Sequence, residues 1–137
     1  MKRAGFVAAL ALALASVATP ARPLPLLGQM EISLTWSPGH PPVGGTVTFI
    51  GTASDNDGAV REARICYGDG ICEGDSIALS SLQLLNACVF GDNWGPRSWQ
   101  HRYTRAGTFQ VKLTVTSRGC PIVPDETRTY TASITVG

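Results

Sequence analysis

The chain has 137 residues, 44% of them hydrophobic and 15% charged, with 11 Lys and Arg against 10 Asp and Glu for a formal charge of +1. No basic run or patch interrupts that balance, which excludes nucleic acid and anionic membrane as natural partners. Four cysteines and a length that suits one modest core point to a single small domain.

Lys2 and Arg3 precede an apolar run from Ala4 to about Ala18, and "TPARP" follows. Basic, then apolar, then small residues is the order of a secretory signal peptide. The run falls short of the roughly 20 apolar residues that a membrane span needs. Cleavage is expected after Ala18, with Ala21 the second position. Residues 1–18 thus read as the signal, 19–29 as a linker and 30–137 as the folded domain, secreted and without stable membrane insertion. Removing Lys2 and Arg3 leaves nine basic side chains against ten acidic ones, a formal charge of −1.

Beyond the linker, period-2 alternation recurs and no stretch carries a convincing helical period, so the chain reads as all-β. "MEISLTW" sets Met30, Ile32, Leu34 and Trp36 against Glu31, Ser33 and Thr35, and "SPGHPPVGG" breaks the strand. "TVTFIGTA" puts Val47 and Phe49 on one face, and "SDNDG", Ser54 to Gly58, is built from turn residues. "AVREARICY" places Ala63, Ile65 and Tyr67 inward, with Cys66 pointing away. From Ile77 to Ala87 the pattern fits a strand or a short helix equally. "TFQVKLTVT" buries Phe109, Val111, Leu113 and Val115, and a last strand runs from about Thr127 to Val136.

The order of motifs carries a family resemblance. "VGGTVTFIGTASDNDGAV", "ARICYGDG" and "HRYTRAGTFQVKLTV" together resemble the polycystic kidney disease (PKD) domain, an extracellular immunoglobulin-like β-sandwich. The matching positions are Gly45, Val47 and Phe49; Asp55, Asp57 and Gly58; Tyr67, Gly68, Asp69 and Gly70; and His101, Tyr103, Gly107 and Phe109. Two features depart from the family: Ile65 stands where Trp is usual, and residues 71–97 form a long insertion. The resemblance implies a two-sheet sandwich, a Gly68-Asp69-Gly70 turn closing the third strand, and a Tyr103 hydroxyl tied to backbone as in a tyrosine corner. It also implies a module for protein or carbohydrate contacts, which in some members binds calcium.

"ICYGDGIC" then asks what its cysteines do. The intervals between Cys66, Cys72, Cys88 and Cys120 contain no C-x-x-C unit, which disfavours both a zinc site and a redox pair. An even count in an exported domain reads as two disulfides. In the implied sandwich the strand ending at Tyr67 lies antiparallel to the one starting at Thr108. That sets Cys66 and Cys120 at opposite ends, beyond disulfide reach. Cys66–Cys72 with Cys88–Cys120 is favoured; Cys72–Cys88 with Cys66–Cys120, and the third pairing, stay open.

Trp36 and Trp99 alternate in phase with core positions, whereas Trp94, in "GDNWGPR", sits among turn residues within the insertion. Asn93, Trp94 and Arg97 are therefore the candidate ligand-binding residues. Asp55, Asp57 and Asp69 are candidate calcium ligands, although the EF-hand ladder is missing. No catalytic residue is assigned and no cofactor is required. The expected function is a secreted, non-catalytic module that binds an extracellular protein or polysaccharide. The alternatives are a structural or adhesive surface protein that self-associates, and a small hydrolase using Asp69 and His101.

Overall fold

The computed structural model describes residues 30–137; the expected signal peptide and linker lie outside the described residues. Strands β1 (Glu31–Ser37), β2 (Thr46–Asp55), β3 (Gly58–Cys66) and β4 (Cys72–Ser76) are followed by helix α1 (Ser81–Phe90). Strands β5 (Asp92–Arg102), β6 (Gly107–Gly119) and β7 (Glu126–Val136) complete the chain. They form two antiparallel sheets, one in the order β1-β2-β5 and one in the order β4-β3-β6-β7. This is the immunoglobulin-like sandwich, with β4 attached to the sheet of β3. The fold class expected from the sequence is the one observed.

The alternating residues meet between the sheets. Leu34, Val47, Phe49 and Trp99 from one sheet pack against Ala63, Ile65, Val111, Leu113 and Ile134 from the other. Each fully buried aliphatic side chain contributes about 1.5–3 kcal/mol relative to exposure. Ile65, at the position where the family carries Trp, is wholly buried in this core. Trp99 is buried as expected, and Trp36 lies half-buried against the cluster.

The favoured cysteine pairing is the one that forms. Cys66 and Cys72 stand opposite each other in the β3–β4 register and are bonded, and Cys88 on α1 is bonded to Cys120 at the end of β6. No cysteine among the described residues is free.

The segment 71–97 has three parts: β4, α1 and the first half of β5. The ambiguous run resolves as helix because Ser80 caps it. The Ser80 hydroxyl accepts from the Gln83 amide at 3.1 Å, and the Gln83 side chain accepts from the Ser80 amide at 2.8 Å. This reciprocal box satisfies two otherwise orphaned donors. At the other end Gly91, with φ of 75°, closes the helix by donating to the Ala87 carbonyl at 2.8 Å. Only Ala87 of α1 is buried, so the Cys88 disulfide is the helix's covalent tie to the sandwich.

Candidate functional site

Trp94 owes its placement to an irregularity in β5. Its partner is Ala53, whereas Arg97 pairs with Gly51, so Gly95 and Pro96 place one extra residue opposite β2. A bulge of this kind turns the side chains beyond it to the other face. Trp94 and Trp99 would point to opposite faces of a regular strand. Here both turn inward, with ring centroids 5.9 Å apart. Gly95 is suited to the bulge: its φ is 92°, and a Cβ would lie 2.6 Å from the Gly51 carbonyl oxygen. Trp94 is accordingly half-buried, packed against the core on one side, although its neighbours in sequence read as turn residues.

The rest of the indole borders two open clefts. One, of about 320 Å³, lies between α1 and the start of β5 and includes Gln83, Asn86, Asn93 and Trp94. The other, of about 420 Å³, is bordered by β1, β2 and β5 and includes Ser33, Thr52, Asn93 and Trp94. Asn93 is exposed, and with Trp94 it forms the wall common to both clefts. An indole with carboxamides and hydroxyls on either side offers apolar contact together with neutral hydrogen-bonding groups.

Arg97, the third candidate, is engaged elsewhere. Its guanidinium makes a two-point pair with Asp75 of β4, at 2.6 Å from Nε and 3.1 Å from Nη2. The pair spans the gap between the two sheets at their β5 and β4 edges. Both side chains reach solvent, so it contributes at most about 1 kcal/mol. Arg97 lines neither of the two clefts beside Trp94.

At the opposite end, Asp69 and His101 do meet. His101 Nε2 lies 2.7 Å from Asp69 Oδ2, and Asp69 Oδ1 accepts from the Ile71 amide at 3.1 Å. The Gly-Asp-Gly turn therefore closes itself and holds the imidazole with the same carboxylate. Tyr67 stacks on the ring at 3.9 Å, and Tyr103 meets it edge-on at 4.7 Å. His101 is only 7% exposed and Asp69 14%. Covered in this way, the pair joins the β3–β4 turn to β5 across the sandwich.

The Tyr103 hydroxyl donates to the Tyr67 carbonyl at 3.0 Å, the backbone tie expected of it. Burial pushes the pKa of both phenols well above the ordinary tyrosine value; the Glu73 carboxylate adds to the shift at Tyr67, and Asp69 adds to it at Tyr103. Gly68, with φ of 86°, lets the turn pass beside β6, where a Cβ would sit 2.6 Å from the Gln110 carbonyl oxygen.

The three candidate calcium ligands are not brought together. Asp55 and Asp57 lie at the β2–β3 turn, and the nine residues of β3 set Asp69 at the far end, roughly 30 Å away at 3.3 Å per residue. Asp55 is buried and accepts from the Ser117 hydroxyl and from the Asp57 amide, the latter at 3.1 Å. Asp92, its neighbour in the β2–β5 register, accepts from the Val60 amide at 2.8 Å. These carboxylates anchor the turn and the strand ends around them. Among the described residues, no group of three or more His, Cys, Asp or Glu side chains is placed to hold a metal ion.

No protein-family profile matches the chain, and no curated protein matches it. Among solved structures it is similar to the PKD1 domain of Vibrio anguillarum Epp, at 20% identity over 80% of this chain and 99% of that one, with a TM-score of 0.48.

Proposed function

We propose that the chain is a secreted, non-catalytic binding module that takes a polysaccharide along the wall formed by Asn93 and Trp94. The observation that carries this reading is the bulge at Gly95 and Pro96, which anchors one side of Trp94 in the core while leaving the indole bordering two clefts. A rigid aromatic loses little entropy on binding, and the amides of Gln83, Asn86 and Asn93 suit the hydroxyls of a neutral sugar chain. Two clefts sharing one wall suit an extended ligand better than a small compact one.

The same reading leaves Asp69 and His101 with a structural role, because their covered geometry favours a pin between the sheets over a hydrolytic centre. Two disulfides accord with an oxidising compartment, where a chain led by residues 1–18 would arrive.

The test is sedimentation of the purified protein with insoluble cellulose, chitin and cell-wall sacculi. Wild type should co-sediment with at least one of them, and Trp94→Ala and Asn93→Ala should lose most of that retention. Asn93 is exposed, so its variant separates lost contact from lost folding. Equal retention of all three proteins, or retention of none, would defeat the proposal.

A further inference from the structure

Helix α1 turns an apolar ridge to solvent. Leu84, Ala87 and Cys88 face the sandwich, while Leu82, Leu85, Val89 and Phe90 are between 62% and 84% exposed. Leu82, Leu85 and Val89 follow the i, i+3, i+7 spacing of a helix-packing seam. Ile122, two residues beyond the cysteine that holds the helix, is 96% exposed. Beside the ridge runs a groove of about 240 Å³ lined by Leu79, Leu84, Leu85, Cys88, Arg118 and Pro121. Charge is absent from α1 itself.

We infer that this face is the interface between two copies of the chain, packed about a two-fold axis with the α1 ridge of each seated in the groove of the other. An isologous contact needs a surface that is its own complement, and a ridge lying next to a groove on one molecule supplies it. The five exposed apolar side chains offer on the order of 600–700 Å², which doubled across the axis falls within what a stable interface buries. Uncharged helices do not repel each other at the seam, and homodimer interfaces are the more apolar kind. A lipid surface is the poorer occupant, because helices that lie on membranes carry basic residues along their polar face and α1 has none. The contact lies on the outward face of α1, and of the groove residues named only Leu79 also lines the cleft at Asn93 and Trp94.

Sedimentation equilibrium of the full secreted protein across the micromolar range tests this directly. Wild type should show a reversible monomer–dimer equilibrium. Leu85→Glu and Val89→Glu should each weaken it by about a hundredfold or more, since the introduced carboxylates face their symmetry mates. Both sites are largely exposed, so at concentrations where wild type is monomeric the variants should keep its melting temperature. Trp94→Ala should dimerise as wild type does, which separates this interface from the proposed polysaccharide site. A wild type that stays monomeric throughout, or a dimer undiminished in both Leu85→Glu and Val89→Glu, would overturn the inference. So would co-sedimentation with phosphatidylcholine or phosphatidylglycerol vesicles that the same substitutions abolish.

Discussion

Removing the Cys88–Cys120 bond by the double substitution Cys88→Ser/Cys120→Ser should destabilise the domain more than removing Cys66–Cys72 in the same way. The two bridges close loops of very different length, with sequence separations of 32 and 6. In the chain-entropy account, the longer loop contributes about 3.7 kcal/mol and the shorter about 2.4 kcal/mol. For a domain of this size the larger loss lowers the melting temperature by on the order of 15 °C. A second effect adds to the first: Ala87 is the only buried residue of α1, so little else holds the helix. Urea unfolding of both double variants, with hydrogen exchange read at 81–90, checks both effects. The reasoning fails if the Cys66–Cys72 variant is the less stable of the two. It also fails if the α1 amides keep wild-type protection after the long bridge is cut.

Further outcomes follow from the aromatic end of the sandwich. Tyr67 and Tyr103 stay protonated in the fold while their unfolded counterparts ionise near pH 10, so stability should fall as pH rises above 10. The slope approaches about 1.4 kcal/mol per pH unit for each phenol. In Tyr103→Phe one phenol's share of that slope should vanish, with about 1 kcal/mol lost at neutral pH for the missing bond to the Tyr67 carbonyl. An unchanged alkaline slope in denaturant titrations would contradict this. Asp69→Ala removes the partner of a buried imidazole and of the Ile71 amide, and should cost about 2–3 kcal/mol in urea unfolding. A loss below about 0.5 kcal/mol would mean the pin does not matter to folding. Gly68→Ala forces a Cβ against the Gln110 backbone at positive φ and should cost about 2 kcal/mol or more. Thermal melting that matches wild type would refute that account of the turn.

Local pattern carried most of the fold. Alternation in "MEISLTW" and "TFQVKLTVT" names the buried positions of β1 and β6, because a strand with one face in the core must repeat every second residue. The Tyr103 tie was legible through the family resemblance, and the strand order it implies favoured the observed disulfide pairing without closing the alternatives. Helix α1 had a signal as well, the Ser80–Gln83 capping box ahead of an apolar run, but a ten-residue helix with its apolar ridge turned outward hides its period.

The site was harder to read. Gly95 and Pro96 look like turn residues, yet here they make a bulge within a strand, and that one-residue shift turns Trp94 inward. Arg97 neighbours Trp94 in sequence, but Asp75 claims it from 22 residues away. Asp55 and Asp57 share one turn in the sequence, but β3 holds Asp69 at the opposite end from them. Partners brought together across the sandwich leave no trace in local spacing.

The most direct test of the central claim is an NMR titration of the labelled protein with soluble cello- and chito-oligosaccharides, following the Trp94 indole and the side-chain amides of Gln83, Asn86 and Asn93. Shifts should be confined to those groups and their neighbours, with His101 and the Gly68–Gly70 turn unmoved. Shifts centred on the His101 end, or no shift at any residue with any sugar, would contradict it.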